Sequence, residues 1–379
     1  MNILFITWNY PPTPGGVVGE ITRHLAASGH GVQVLVPWRR WQKRSENMEG
    51  VEVRRVFVPR RPARFMVPLF MARILLFLLF RRFDAVHMLY NANCFLLPLF
   101  GGLLFKDRKM KYVLHQITFS IAPEKGRREA ENAKVVAESR YFDAVVTSNR
   151  HMVEKYYARD LRDKVFTVRI GVNTEHFKPA PSPAASAAEK KIFPAAGRVF
   201  VYQGTFAGRR LEVLLRAFGQ VLKRQPDSGL LMIGSGDGAA SLEKLAGDLG
   251  IGDKVRFTGM VPYDEVPRYM KMADAGVSSI PMTEYYDVQT PLKTMEFLAS
   301  GLPVIATGTK ANRDLVKDGY NGLLVKDDEA SLAGAMIRLA ADGALREELA
   351  RNARASVMGL DWKEIVGKEL LPAYRRILQ

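Results

Sequence analysis

Short apolar runs, many of them β-branched, recur along this chain and alternate with helix-like stretches or long connections. Strands joined through helices lie parallel, because each crossover returns the chain to the same end of the sheet. The alternation therefore predicts an α/β fold with a doubly wound parallel sheet and crossover helices. In the first half of the sequence the candidate strands are residues 3–7, 32–36, 85–88, 112–115, 144–148 and 166–170.

The alternation pauses in a segment rich in Pro, Ala and Ser that begins at Lys178 and lacks apolar periodicity. This composition is typical of a linker. We therefore predict a first domain at residues 1–178, a linker at 179–197, a second domain at 198–361 and an amphipathic terminal helix at 362–379. Two such sheets facing each other would form a cleft at the carboxyl ends of their strands. The candidate strands of the second domain are residues 199–203, 229–233, 255–258, 275–279, 303–306 and 322–325.

The composition narrows the class of protein. A length of 379 residues suits two domains, and 47% hydrophobic with 25% charged residues is typical of a globular protein. Cys94 is the single cysteine, so no internal disulfide can form, and no Cys/His cluster has metal-ligand spacing. The sequence starts as a strand with no basic segment before it, so we expect no signal peptide and a cytoplasmic location.

The positive charge is concentrated in the first half. Residues 1–178 carry 29 Lys and Arg against 15 Asp and Glu, whereas residues 179–379 carry 26 against 24. We therefore expect the first domain to face an anionic partner. Because no nucleic-acid-binding motif is visible, we favour an anionic membrane surface over nucleic acid.

Two segments of the first half bear on this expectation. Residues 65–80 are strongly apolar but too short to span a bilayer, and they contain Pro68 and Arg73. They predict either a buried helix packed on the sheet or a helix partly laid into the membrane interface. In the loop after the second strand, Trp rings and Arg cations suit lipid headgroups, although a solvated basic loop is the alternative. The membrane-facing residues of that loop are Trp38, Arg39, Arg40 and Trp41.

Glycine-rich turns follow several predicted strands. Gly15 and Gly16 end a proline-rich loop, Gly204 follows residues 199–203, and Gly234 opens a G-x-G-x-G turn. Glycines allow backbone N–H groups to approach a phosphate closely. Next to the Gly204 turn stand Arg209 and Arg210, whose guanidinium groups match phosphate oxygens bidentately. These turns therefore predict an anion-binding edge.

Residues 291–306 are the most informative stretch. They predict a helix with Pro291 in its first turn, followed by a short buried strand. Lys293 and Glu296 lie one turn apart in this otherwise apolar helix. A carboxylate beside a helix N-terminus that holds phosphate could grip a ribose and a pyrophosphate. The simpler interpretation is that Glu296 forms a salt bridge with Lys293.

Taken in order, these motifs resemble those of family 4 glycosyltransferases over nearly the whole chain. The resemblance implies a GT-B fold, in which two Rossmann-like domains face each other across a cleft and the terminal helix crosses back to the first domain. It implies that His115 contacts the donor sugar, that Arg209 or Arg210 neutralises the departing diphosphate, and that Glu296 accepts hydrogen bonds from the ribose. The other implied donor-binding residues are Gly15, Gly16, Gly204, Gly234, Gly259, Met260, Val261, Thr290, Pro291, Leu292 and Lys293.

The resemblance also implies an activity. A sugar would pass from a UDP- or GDP-type nucleotide-sugar, with retention of configuration, to a hydroxyl of a glycan or lipid-linked acceptor in cell-envelope synthesis. No cofactor or metal is implied, and the sequence has no D-x-D motif. The family commonly has a further glutamate eight positions before Glu296, where this chain has Val288. That departure leaves open a non-catalytic partner subunit that binds nucleotide or glycan. A sugar-nucleotide epimerase would need acidic and basic groups around the sugar, which the sequence does not locate.

Overall fold

The computed structural model describes residues 1–10, 16–39, 42–58, 66–180 and 197–379. The chain forms two compact units, the first containing Met1–Gly171 and Trp362–Gln379 and the second containing Val172–Asp361. The boundary lies before residue 178 because the N–H of Val172 donates to the carbonyl of Leu360 at 2.9 Å, within the second unit. Of the expected linker, residues 181–196 lie outside the described residues.

The first unit contains one eight-stranded sheet. Its strands are β1 (Asn2–Ile6), β2 (Gly31–Pro37), β3 (Ser45–Met48), β4 (Val51–Val56), β5 (Ala85–Leu89), β6 (Lys111–Gln116), β7 (Ala144–Thr147) and β8 (Val165–Thr167). They are ordered β3-β4-β2-β1-β5-β6-β7-β8, and only β3 and β4 pair antiparallel. This hairpin was not predicted from the sequence, because β4 buries only alternate residues and β3 is polar, so neither forms an apolar run.

Helices connect the parallel strands of the first unit. They are α1 (Gly16–Ala27), α2 (Met66–Leu79), α3 (Leu96–Leu104), α4 (Lys125–Ser139), α5 (Arg150–Tyr156) and α6 (Arg159–Arg162). The sheet between them has apolar strands because both of its faces are covered, and β7 is buried at all four of its residues. In the described part of the chain, no helix combines the length and the apolar character that crossing a bilayer requires.

The second unit contains a six-stranded, fully parallel sheet. Its strands are β9 (Arg198–Gln203), β10 (Ser228–Ile233), β11 (Val255–Gly259), β12 (Ala275–Ser278), β13 (Val304–Thr307) and β14 (Gly322–Val325). Their order is β11-β10-β9-β12-β13-β14. The helices around the sheet are α7 (Leu211–Leu222), α8 (Ala239–Asp248), α9 (Val266–Met270), α10 (Leu292–Ala299), α11 (Lys310–Arg313), α12 (Glu329–Ala341) and α13 (Gly343–Val357).

Both sheets reverse their winding beside the first strand of their unit. The chain starts at an inner strand, fills one side of the sheet and then returns to fill the other, so β5 flanks β1 and β12 flanks β9. Doubly wound sheets bind ligands at the carboxyl ends of strands near such a reversal. In the second unit, the fold therefore predicts a ligand site at the loops after β9, β10 and β12.

The C-terminal segment packs within the first unit. It consists of α14 (Trp362–Ile365), a π-helical turn (Val366–Leu370) and α15 (Leu371–Ile377). The indole of Trp362 lies so close to Gly171 that a Cβ atom there would be 2.6 Å from its ring. Arg169 donates from Nε to the carboxylate of Glu369 at 2.6 Å. The segment is thus held by specific contacts as well as by its apolar face.

Candidate functional site

Three glycine loops are joined at the carboxyl edge of the second sheet. They follow the adjacent strands β9, β10 and β11. The N–H of Gly204 donates to the carbonyl of Ile233 at 2.9 Å, and the N–H of Gly234 donates to the carbonyl of Gly259 at 3.0 Å. Three of the predicted donor-binding glycines, Gly204, Gly234 and Gly259, are therefore neighbours, and Gly204 follows β9, the strand beside the reversal of winding.

Position 234 requires glycine for a steric reason. Its φ is +135°, and a Cβ atom there would lie 2.0 Å from the carbonyl oxygen of Gly204. Only a residue without a side chain allows the two loops to come this close. The G-x-G-x-G turn that resembles a phosphate motif in the sequence is thus required, at its first glycine, by contact between backbones.

Lys293 lies beside these loops. Helix α10 begins at Leu292, so Pro291 occupies the preceding cap position and not the first turn as expected. The Lys293 ammonium is buried 3.7 Å from the ring centroid of Tyr202 and has no hydrogen-bond partner among the described residues. Burial and the charge of Arg209 hold the pKa of Lys293 well below its usual range, and Glu296 offsets part of this effect. A buried ammonium of this kind is costly until an anion approaches it.

The two candidate arginines have different environments. The guanidinium carbon of Arg209 lies 4.6 Å from the ring centroid of Tyr286, and its Nε is buried without a hydrogen-bond partner in the described residues. In contrast, Arg210 is exposed and donates to the carboxylate of Asp327 at 2.8 Å. Arg210 has φ +51°, a left-handed conformation that directs the chain into α7. Of the two, Arg209 shares an electrostatic environment with Lys293, as the effect on the lysine pKa shows.

Glu296 is buried in α10, with 8% of its surface exposed. Desolvation raises the pKa of Glu296 to about 7, while the Gln203 side chain and the charge of Lys293 act in the opposite direction. Glu296 and Lys293 form no ion pair within 4.0 Å in the described structure. The carboxylate therefore lies near the charge of Lys293 without a salt bridge to it, which suits a group that accepts hydrogen bonds from a ligand.

The position of the missing glutamate is apolar in structure as well as in sequence. Val288 is 2% exposed and contributes to the core. The nearby Asp287 accepts a hydrogen bond from the N–H of Lys310 at 2.8 Å, so its carboxylate serves the start of α11. Glu284 is exposed. Neither carboxylate substitutes for the one that the resemblance places at residue 288.

The remaining predicted residues of the second unit surround these loops. Met260 and Val261 follow the end of β11, and Met260 is 81% exposed. Thr290 is half-buried just before Pro291, and Leu292 is 42% exposed at the start of α10. Their part in holding a donor stays a prediction. Within the described ranges, no group of three or more His, Cys, Asp or Glu side chains could hold a metal ion.

In the first unit, His115 belongs to a buried chain of polar groups. Its Nδ1 lies 3.0 Å from Nε2 of His87, and Nδ1 of His87 lies 2.5 Å from the hydroxyl of Tyr374 in α15. Burial lowers the pKa of His115 to about 4, and burial together with the charge of His115 lowers the pKa of His87 well below its usual range. Both imidazoles are therefore neutral at neutral pH.

Because both rings are neutral, each carries a single N–H, and the hydrogen bonds determine which ring nitrogen carries it. The Tyr374 hydroxyl has His87 as its hydrogen-bond partner and no other among the described residues, so its O–H donates to Nδ1 of His87. Nε2–H of His87 then donates to Nδ1 of His115, which leaves the proton of His115 on Nε2. The opposite order would leave the buried tyrosine O–H without an acceptor. His115 consequently presents an N–H donor on its free edge.

The other predicted residues of the first unit are only partly described. Gly16 is the first residue of α1, with φ +71°, whereas Gly15 lies outside the described residues. Trp38 is half-buried and its indole N–H donates to the carbonyl of Gln42 at 2.8 Å. Arg39 is exposed and donates to the side chain of Asn9. Arg40 and Trp41 also lie outside the described residues.

Four neighbours of the site were not found by sequence reasoning. Tyr202 and Tyr286 flank the two cations, and His87 and Tyr374 orient His115. Tyr202 and His87 lie in predicted strands, where alternation makes any residue a candidate for burial. No local signal distinguishes them from ordinary core residues, because each partner is distant in sequence.

Comparison with known proteins identifies the family. A model of the glycosyl transferase 4-like domain matches residues 14–171, and a model described as glycosyl transferases group 1 matches residues 197–342. The chain belongs to the group 1 glycosyl transferases of the family 4 type and has the GT-B fold, as the sequence motifs indicated.

Two relatives show how similar the chain is to individual proteins. The chain is 32% identical over 268 residues to a D-inositol 3-phosphate glycosyltransferase of Acidothermus cellulolyticus, an alignment that covers 68% of this chain and 57% of the relative. It is 30% identical over 196 residues to a GDP-mannose-dependent alpha-(1-6)-phosphatidylinositol monomannoside mannosyltransferase of Mycolicibacterium smegmatis, covering 50% of this chain and 48% of the relative. The chain thus matches about half the length of these proteins.

Solved structures show the same fold over the full length. A sucrose-phosphate synthase from Thermosynechococcus elongatus superposes with a TM-score of 0.77 at 19% identity, covering 99% of this chain and 98% of that one. Anabaena HepE, solved in complex with UDP and glucose, superposes with a TM-score of 0.75 at 16% identity, covering 99% of this chain and 100% of that one. At these identities the likeness concerns the fold.

Proposed function

We propose that this chain is a retaining glycosyltransferase that uses a UDP- or GDP-type nucleotide-sugar. The acceptor would be a hydroxyl of a glycan or lipid-linked molecule in cell-envelope synthesis. Family membership supports transfer of a sugar. HepE, solved with UDP and glucose, and the mycolicibacterial relative, which is GDP-mannose-dependent, support the two donor types.

One observation carries the proposal. The Lys293 ammonium and the Nε of Arg209 are both buried without hydrogen-bond partners in the described residues, beside loops whose glycines bring backbone close. Desolvated cations of this kind favour a dianionic ligand, and a diphosphate would satisfy both. In the transfer reaction, the same two groups would stabilise the negative charge that grows on the departing nucleoside diphosphate.

Glu296 would hold the nucleoside. Its buried carboxylate can accept two hydrogen bonds from vicinal ribose hydroxyls, and such donors would favour the ionised form that burial disfavours. His115 would donate its Nε2–H to an oxygen of the sugar. We identify no nucleophile for a double displacement, so the proposal includes attack on the same face from which the diphosphate departs.

The acceptor is proposed to lie at the inner face of the cytoplasmic membrane. The surplus of 14 positive charges in residues 1–178 supports an anionic surface, and one relative acts on a phosphatidylinositol monomannoside, a lipid-linked acceptor. The exposed Arg39 is one candidate contact. Changing Arg39 and Arg40 to Glu should weaken salt-sensitive binding to anionic vesicles.

The test is a donor panel. Hydrolysis and thermal protection would be measured with UDP-, GDP- and ADP-sugars, with Glu296→Ala beside the wild-type protein. Turnover of one donor that the variant loses supports the proposal. A protein that neither binds nor hydrolyses any donor contradicts it.

Val288 favours a second candidate, a non-catalytic subunit that binds nucleotide or glycan. A buried apolar residue stands where the resemblance places a carboxylate that contacts the donor. This candidate predicts thermal protection by a nucleoside diphosphate without turnover of any sugar donor.

A further inference from the structure

Helix α2 is apolar on its exposed side as well as on its buried side. Phe70, Ile74 and Leu78, spaced four residues apart, are fully buried and face the interior of the first unit. On the opposite side Leu76 and Leu79 are each 49% exposed, and Phe80 directly after the helix is 81% exposed. An ordinary surface helix has polar residues at such positions. The exposed side of α2 is therefore apolar for a reason other than the core.

The neighbouring helix α3 continues this apolar side. It packs against α2 and buries Leu97 and Gly101. No charged residue occurs between Leu96 and Leu104. Its outer residues are exposed to the extent of 38% for Leu99, 46% for Phe100, 71% for Leu103 and 60% for Leu104.

Arg108 joins the C-terminal ends of the two helices. It follows α3 and donates to the carbonyls of Leu79 and Arg81, each at 3.0 Å, at the end of α2. It also donates to the carbonyl of Leu78. These bonds satisfy orphan carbonyls of α2 and bring Phe80 and the last residues of α3 to the same end of the unit. We call the exposed apolar residues of both helices the α2–α3 surface: Leu76, Leu79, Phe80, Leu99, Phe100, Leu103 and Leu104.

The charges around this surface are mostly positive. Beyond the end of α2 come the exposed Arg81 and Arg82, and beyond α3 come the exposed Lys106 and Lys109. Arg73 is exposed on α2 itself. The carboxylates in these segments are Asp107, which is exposed, and Asp84, which accepts a hydrogen bond from the N–H of Asn2 at 2.7 Å. An apolar centre with a cationic border is complementary to acyl chains beneath anionic headgroups.

We propose that the α2–α3 surface docks this protein on an anionic lipid bilayer, with its Leu and Phe side chains in the headgroup and upper acyl region. The proposal deepens the proposed function by naming the surface that faces a membrane-borne acceptor. Neither helix is long enough to cross the bilayer, so both lie along the interface. A protein partner fits less well, because the surface is mostly aliphatic, lacks Tyr, Trp and Met, and is bordered by Lys106 and Lys109, whereas lysine is depleted at protein interfaces.

The apolar part of the proposal is tested by vesicle sedimentation. Vesicles of phosphatidylcholine with phosphatidylglycerol would be compared with phosphatidylcholine alone, using wild-type protein and the double variant Phe80→Ser, Leu103→Ser. The matched control is Tyr320→Ser, Met358→Ser in the second unit, where the native residues are 45% and 43% exposed. Loss of two inserted side chains should weaken partitioning at least about tenfold, and the control should stay within about twofold of wild type.

The electrostatic part is tested by charge reversal. Arg82→Glu is compared with Arg351→Glu, which makes the same change in net charge at an exposed position of α13 in the second unit. The first variant should bind anionic vesicles about tenfold more weakly, and the second should bind as wild type. Equal loss in both variants would mean that net charge alone drives adsorption, and the proposed surface would be wrong.

Insertion is measured separately with Leu103→Trp. Because the chain has four native tryptophans, the variant is compared with the wild-type protein on the same vesicles, and the added tryptophan should give a further blue shift and further quenching by brominated lipid. Leu103 is 71% exposed, so the substitution should leave folding unchanged. An unquenched tryptophan contradicts docking through this surface. So does a dimer that the Phe80→Ser, Leu103→Ser variant dissociates, because a second copy would then cover the surface.

Failure of the docking proposal and failure of the transferase proposal are distinguishable. Glu296→Ala lies in the second unit and should bind vesicles as wild type does while losing donor turnover. A protein that turns over its donor but ignores anionic vesicles overturns only the docking surface.

Discussion

Nε2 of His87 lies 3.0 Å from Nδ1 of His115, in the buried part of the first unit. This contact makes the tautomer of a strand-end histidine depend on a tyrosine of the last helix, since the Tyr374 hydroxyl holds the other nitrogen of His87. A residue near the end of the chain thereby decides whether His115 offers a donor or an acceptor.

Tyr374→Phe should change that tautomer. Without the hydroxyl donor, the His87–His115 pair can reverse its proton order, and His115 should show a mixture of tautomers in ¹⁵N NMR at neutral pH, where the wild-type protein should show the Nε2–H form. The loss of one buried hydrogen bond should lower the free energy of unfolding by about 1 kcal/mol. Tyr320→Phe, on the surface of the second unit, is the control. An unchanged His115 tautomer in Tyr374→Phe would refute the proton order described above.

Arg209 and Arg210, which follow β9, should contribute unequally to the affinity for nucleotides. Arg209→Ala removes a cation that lies beside Lys293, so the affinity for UDP or GDP should fall about tenfold to 100-fold. Arg210→Ala breaks the ion pair between the exposed arginine and the largely buried Asp327 carboxylate, which has no part in the proposed diphosphate site, and should change affinity by less than about threefold. Isothermal titration calorimetry measures both, and a larger loss in Arg210→Ala would reverse the assignment.

Glu296 should make stability depend on pH. Its folded pKa of about 7 exceeds the value of 4.5 for a free carboxyl, so the folded state binds the proton more tightly. The free energy of unfolding therefore decreases as pH rises from about 4.5 to about 7. Glu296→Gln removes this cost and should be more stable than wild type by about 1–3 kcal/mol at pH 8 but not at pH 4. Glu212→Gln, at an exposed position of α7, should show no such difference in urea unfolding at the two pH values.

Lys293→Met should stabilise the folded protein and weaken its binding of nucleoside diphosphates. The buried ammonium has no hydrogen-bond partner in the described residues, so an apolar side chain of similar length should raise the free energy of unfolding by about 1–3 kcal/mol. The same variant should lose protection by nucleoside diphosphates. Lys244→Met removes an exposed lysine of α8 and should change stability by less than about 0.5 kcal/mol. Destabilisation by Lys293→Met would show that the ammonium is satisfied in the free protein.

Gly234→Ala should disrupt the glycine loops. The new Cβ atom would lie 2.0 Å from the carbonyl oxygen of Gly204, so one loop must move, at a cost of about 2–4 kcal/mol. Gly247→Ala is the matched control, because nothing lies within 4 Å of its Cβ position inside α8. There alanine should be neutral or stabilise by up to about 1 kcal/mol. Thermal unfolding of both variants checks the contrast, which an equally stable Gly234→Ala would contradict.

The sequence by itself determined the parts that depend on local pattern. Short apolar runs between helices specify parallel strands, and turns with glycine after those runs specify loops at the carboxyl edge, since both signals lie within a few neighbouring residues. The two α/β sheets and the position of Gly204 and Gly234 at an edge were predictable for this reason. The β3–β4 hairpin was not, because its pairing buries only alternate residues.

Tertiary structure decided which side chains share an environment. Arg209 and Arg210 are adjacent in sequence, yet one faces Tyr286 and the other pairs with Asp327. His87 and Tyr374 are 287 positions apart and nevertheless form a hydrogen bond. Contacts of this kind follow from the order of strands in a sheet and from the packing of the last helix. Periodicity along the chain reports which residues are buried, but the partner of a buried polar group is chosen only when distant elements come together.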